Sequence, residues 1–255
     1  MQLTGASSVL HRHPRLRLLL LLAAPMLVLV VVYLGALAVL LLSSVWSTDV
    51  FTGDTVKSFT LDNFRDVVNS STYRTVIVRT VLVAMAVTVI CALLAFPMAF
   101  YMAKVASPRA RRLLVVAVLT PLWASYLVKA YAWRAMLAGD GVVNWALAPF
   151  GLRGPGFGLT ATVIVLSYLW LPFMVLPLAF PALVAGAIFT FSLSLGDYIA
   201  VQIVGGKSQL LGNLIQGNAG AANNLPLAAA LAAVPIVIMV VFLVGIRRTG
   251  ALDNL

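Results

Sequence analysis

Apolar positions in this chain follow neither the alternation of a half-buried strand nor the narrow stripe of a surface helix. They run on for about 20 residues at a time, the length needed to cross a hydrocarbon core of about 30 Å as an α-helix. The pattern predicts an all-α polytopic membrane protein with about six transmembrane helices, spanning 18–42, 73–101, 113–136, 159–177, 178–204 and 225–246. The connections 43–72, 137–158 and 205–224 are rich in Gly, Asn, Ser, Thr and Asp and read as polar surface loops. In the first of them, SFTLDNFRDVV predicts a short amphipathic helix with Leu61, Phe64, Val67 and Val68 on the face turned to the bundle.

Composition makes the reading firmer. Of the 255 residues, 62% are hydrophobic and only 9% charged, against about 25% charged in a soluble domain. The 17 Lys and Arg outnumber 7 acidic residues, all of them Asp. In a soluble protein that excess would suggest nucleic acid; here it reports orientation. Arg12, Arg15 and Arg17 precede the first span, Lys104, Arg109, Arg111 and Arg112 follow the second, and Arg247 and Arg248 follow the last. Such clusters face the cytoplasm. Six crossings put all three on that side, with N-terminus and C-terminus both cytoplasmic. The expected layout is a basic tail over 1–17, a single transmembrane domain over 18–246 and a tail over 247–255. The run from Leu18 to Leu42 is too long for a signal-peptide core and reads as a retained span. Cys91 lies in an apolar run and reads as a small buried hydrophobe.

One stretch resists this layout. Residues 159–204 would form a helix about 69 Å long if continuous, so they must turn near LPFMVLPLAFPAL, where Pro172, Pro177 and Pro181 interrupt the helix but no charged group marks a loop.

Several segments together resemble the inner-membrane permeases of ABC importers, specifically the spermidine and putrescine (polyamine) group. They are TLDNFRDVV before the second span, TPLWASYLVKAYAWRAML through the third, GDGVVNWAL after it, then YLWLPFMVLP and FTFSLSLGDYIAVQIVGG. The resemblance implies a transport subunit, not an enzyme, in the bacterial plasma (inner) membrane. Its implied partners are a second permease, homologous or identical, two cytoplasmic ATPase subunits that use ATP and Mg, and an extracytoplasmic binding protein. It implies no cofactor in this chain and no nucleic acid. The chain departs from the family's pattern at one place: the cytoplasmic E-A-A…G coupling loop, expected near Pro177 and Leu178, has no counterpart, and about 30 residues typical of it are absent, through poor order or a genuine deletion. The rival functions are a secondary transporter or channel working without ATP, and a structural membrane partner with no pore.

Charges inside spans are functional candidates by default; here they are Arg79, Lys129, Arg134 and Asp197. One reading places Asp197 and Tyr198 in an outer vestibule, the carboxylate attracting a cationic solute while Tyr131, Trp133 or Trp170 offers a cation–π face. The other pairs Asp197 with Lys129 or Arg134 to hold two spans together. Asp140 and Asn144 in GDGVVNW are candidate contacts for a binding protein or simply turn residues. GGKS at 205–208 lacks the earlier Gly of a phosphate-binding loop, with Val201 in its place. His11 and His13 have no neighbouring Cys or carboxylate, so no metal site is expected, and no constellation suggests catalysis. Pro97, Pro121, Pro172 and Gly186 are possible hinges or ordinary kinks.

Overall fold

A computed structural model describes residues 14–49, 51–175 and 180–248. The chain enters as helix α1, Pro14–Leu27, which starts before the expected boundary and passes through a π-helical segment, Val28–Leu34, into α2, Gly35–Ser43. None of the side chains described in these three segments is buried. The following loop holds a small antiparallel ribbon, β1 (Ser47–Thr48) and β2 (Thr55–Val56). At its tip Asp49 accepts hydrogen bonds from the backbone N–H groups of Thr52 and Phe51, which hold its carboxyl below the usual range.

The amphipathic helix is present as α3, Asp62–Asn69. Val67 and Phe64 pack on the bundle, whereas Leu61 and Val68, expected on the same face, are exposed. Helical spacing spreads the four over about 120° of the surface, and the bundle meets the edge held by Val67 and Phe64, while Leu61 precedes the helix as its N-cap.

The centre of the bundle is α4, Ser71–Phe100, prolonged by a π segment Tyr101–Val105. At about 1.5 Å per residue the whole runs about 50 Å. Arg111 caps its end, donating through Nε to Met102 O (2.6 Å) and through Nη2 to Ala103 O (2.7 Å), so carbonyls with no helical partner are satisfied. The third expected span is not one helix. It divides into α5, Pro108–Trp123, begun by Ser107 as N-cap with Pro108 behind it, and α6, Tyr126–Leu137, set at 97° to α5. Ala124 and Ser125 are extended at the corner. A short helix α7, Val142–Leu147, lies in the next loop.

Then come α8, Leu159–Val175, and α9, Phe180–Gly196. The fifth expected span also breaks: α9 ends at Gly196, Asp197 and Tyr198 are non-helical, and α10 is Ile199–Val204. α11, Leu211–Ala219, and the long α12, Leu225–Arg248, complete the chain. Among the described residues three helical stretches are long and apolar enough to cross a membrane, and the bent α5–α6 pair makes a fourth if it is one span. α8 and α9, with 17 residues each, are about 26 Å long, at the short limit for a crossing. The basic residues of 1–13, the coupling position at Pro177 and Leu178, and residues 249–255 lie outside the described residues.

α4 packs against both α8 and α9, with Val83, Val87, Cys91 and Ala95 against Val165, Leu166 and Leu169 of α8. Within lipid, association of helices rests on close packing, since the acyl chains are as apolar as the side chains they would replace. The fully buried small residues Ala84, Ala95, Ala161 and Ala230 are the means. Gly186 carries this furthest: a Cβ there would lie 2.9 Å from Phe173 O on α8.

Candidate functional site

Both helix breaks meet at one place. Tyr126, the first residue of α6 after the 97° corner, donates its hydroxyl to Asp197 Oδ2. Asp197 Oδ1 accepts from Ala200 N at 3.0 Å, so the carboxylate also satisfies a free amide at the start of α10. Asp197 is 9% exposed. A second set of contacts fixes the far side of the break. The Asn213 amide donates to Tyr198 O (3.0 Å), and Thr80 on α4 accepts from Leu211 N (2.9 Å) while donating to Val76 O. Gly212 sits against the break itself, where a Cβ would be 2.8 Å from Gly196 O and 2.9 Å from Asp197 O. Irregular backbone at membrane depth is tolerated when it is buried in protein with its polar groups satisfied, and these side chains supply that.

Of the residues read from the sequence, the structure brings Asp197 and Trp170 to this place through Tyr126, whose ring lies 6.1 Å from that of Trp170. Tyr198 adjoins Asp197 and is 37% exposed. Trp133 packs edge-on against Tyr168 at 5.3 Å instead, and Tyr131 is 59% exposed on another face of α6. Neither Lys129 nor Arg134 pairs with Asp197. Arg134 donates to Ile203 O and lies over the Phe157 ring at 5.0 Å, satisfying the last turn of α10. The only ion pair among the described residues is Arg65–Asp62, 3.4 Å on the surface of α3. Sequence reasoning missed Tyr126, one of several aromatics in WASYLVKAYAW, because only the corner at Ala124 and Ser125 turns it, rather than Tyr131, toward Asp197.

Arg79 belongs to a different feature. With Arg74 it heads a groove of about 740 Å³ along α4 and α8, floored by Val78, Leu82, Leu159 and Val163. A contiguous hollow of about 340 Å³ shares Ser71, Thr75 and Arg79 and adds Lys207 and Gln209. Among the described residues three cations and no carboxylate line the two. The loop of Asp140 and Asn144 borders a third hollow of about 710 Å³. Asn144 ties that loop together, donating to Ala138 O (2.8 Å) and accepting from Gly154 N (2.7 Å), while Asp140 is exposed. The turn at 205–208 is seated near the start of α8 through Gly158 N to Val204 O (3.0 Å). No group of His, Cys or Asp among the described residues has the makings of a metal site.

No family model matches the chain. It is 38% identical to the inner membrane ABC transporter permease protein YdcU of Escherichia coli K12, over 98% of this chain and 95% of that protein. The spermidine/putrescine transport system permease protein PotB is 25% identical in Haemophilus influenzae, over 76% of this chain and 81% of PotB. In Escherichia coli K12 PotB is also 25% identical, over 77% and 84%. Among solved structures, a chain of a bacterial ABC transporter involved in the import of the acidic polysaccharide alginate superposes with a TM-score of 0.61 at 14% identity, covering 95% of this chain and 98% of that one. At that identity the likeness is one of fold. The match to YdcU extends over 297 positions and takes in 98% of the 255 residues here, so that relative holds about 47 residues with no counterpart in this chain.

Proposed function

Because the chain belongs to the permease subunits of inner-membrane ABC transporters, we propose that it forms, together with a second permease, the path of a small solute, a polyamine such as spermidine or putrescine. An extracytoplasmic binding protein delivers the solute to the loops around Asp140 and Asn144, and two cytoplasmic ATPase subunits, using ATP and Mg, drive alternating access. The chain supplies the path and no catalytic group. Support for the polyamine comes from the PotB relatives and from Asp197, the one buried carboxylate among the described residues, held beside Tyr126 and Trp170. That carboxylate is the observation that carries the reading, since an anionic acceptor kept at low dielectric favours a cation.

The proposal includes six crossings with both termini cytoplasmic, α5–α6 and α9–α10 each counting as one broken span. The Lys104–Arg112 cluster at the far end of α4 and Arg247 and Arg248 at the end of α12 support that orientation. It further includes a shortened ATPase-docking segment. Only four residues separate Val175 of α8 from Phe180 of α9, in keeping with the residues YdcU has in excess. Purification in mild detergent, followed by reconstitution with the co-purifying subunits, tests this directly. ATP-dependent uptake of radiolabelled putrescine is expected; a preparation that retains no ATPase subunit overturns the importer reading.

A further inference from the structure

Five threonines in the helices of this bundle bond their own backbone. Thr75, Thr80, Thr88, Thr120 and Thr162 each donate to the carbonyl four residues earlier, at 2.7–3.0 Å. Four buried polar side-chain atoms have no hydrogen-bond partner among the described residues: Ser167 Oγ and Trp170 Nε1 on α8, Thr190 Oγ1 and Ser194 Oγ on α9. They are not scattered. On α9, Thr190, Ser194 and Asp197 continue, at helical spacing, the face that Gly186 presses against Phe173 and Met174. On α8, Trp170 and Ser167 lie one and two turns from Met174 along the face that receives Gly186. The antiparallel register, fixed by Phe173 stacked on Phe189 at 6.3 Å, brings Trp170 and Ser167 level with Thr190 and Ser194. All four unpartnered atoms therefore fall in one helix–helix seam that ends at Asp197.

A buried polar group without a partner is costly, and replacing it by an apolar group of the same shape is neutral or stabilising. A sequence selected only for packing would hold Val and Ala at these positions. We propose that the α8–α9 seam is the binding site for the ammonium end of the transported solute. Asp197 serves as counter-ion and the hydroxyls of Ser194, Thr190 and Ser167 as successive acceptors when the two helices part. The acceptor inventory fits, while Trp170 Nε1–H, a donor, takes no part in holding a cation. An alkylammonium brings three donors and no acceptor, and the seam offers a carboxylate with two lone-pair positions beyond those used by Tyr126 and Ala200, plus three hydroxyl oxygens. The Trp170 ring adds a cation–π face. The groove headed by Arg74 and Arg79 repels the same cation. This inference deepens the polyamine reading and rests on it for the charge of the ligand.

The test uses the full transporter complex in proteoliposomes, with Thr190→Val and Ser194→Ala singly and together. Thermal unfolding of the purified complex is expected at the wild-type temperature or above it. Putrescine uptake is expected to fall about tenfold or more, as for loss of hydrogen bonds to a charged group. Unchanged uptake overturns the proposal, and so does a drop in unfolding temperature with a matching drop in uptake, which would make the hydroxyls structural. A second measurement stands if the double variant fails to assemble: Ser194→Cys in a Cys91→Ser background, treated with the small ammonium thiol reagent aminoethyl methanethiosulfonate. Modification during ATP turnover that putrescine slows supports the seam, and no modification overturns it. Wild-type complex that takes up no putrescine, while Ser194→Cys still reacts during turnover, instead overturns the polyamine reading and with it the ligand named here.

Discussion

Charge enters this apolar bundle in two ways. At the Ser71 end of α4, the Arg74, Arg79 and Lys207 side chains line an open groove, with no hydrogen-bond partner among the described residues. At the α9–α10 break one carboxylate is nearly buried, and both its oxygens are taken, one by a tyrosine hydroxyl and one by a backbone amide. The difference follows from geometry. Long cationic side chains reach water from a helix end, so they need no site built for them. A short aspartate inside the bundle has no such reach and persists only where interrupted helix leaves free amides and where a neighbouring element brings a donor. The groove is a place where charge is merely tolerated; the break is constructed around its charge.

The contrast can be tested in order of expected effect. Asp197→Asn keeps the shape of the side chain but removes the negative charge, and uptake should fall more than about tenfold while the amount of assembled complex stays near wild type. Equal losses in uptake and assembly would reduce Asp197 to a structural tie. Gly212→Ala forces a Cβ to within 2.8 Å of a carbonyl and should destabilise by about 1–3 kcal/mol in thermal unfolding. Its companion Gly217→Ala, on the same helix with nothing within 4 Å, should be neutral or stabilising by up to about 1 kcal/mol. Tyr126→Phe strips one oxygen of Asp197 of its donor and should cost about 1–2 kcal/mol by the same measurement. Smallest of all, Arg74→Gln with Arg79→Gln should shift stability by no more than about 0.5 kcal/mol. A larger loss there than in Tyr126→Phe would erase the distinction between the two regions.

The sequence announces the apolar runs well, because twenty consecutive apolar residues have few other physical meanings. α4 and α12 match their expected spans to within a few residues. It announces the breaks poorly. Pro121 and the Gly196–Asp197 pair were visible, but a proline within a span commonly kinks a helix without turning it through 97°, and only packing against the rest of the bundle selects the corner. The site inherits that difficulty. Asp197 stands out as an acidic residue in an apolar run, whereas its partner lies 71 residues away and shares its segment with Tyr131 and Trp133. The seam is harder still, since Ser167, Thr190 and Ser194 are ordinary residues in apolar helices, and their lack of partners becomes apparent only when α8 and α9 are placed side by side.

The first helix, bare of burial over Leu21–Ser43, carries a consequence for how the protein can change. Rewriting residues 21–34 as an equally apolar sequence of the same length touches no core side chain, whereas Gly35–Ser43 lies against α12 and is held by that packing. Residues 21–34 are thus a tether more than a wall of the bundle, and packing on α12 sets in along Gly35–Ser43, ahead of Ser44, which is 2% exposed and hydrogen-bonded to Leu41 O at 2.6 Å. Apolar exchanges over 21–34 should therefore leave the unfolding temperature of the complex unchanged, and those over 35–43 should lower it.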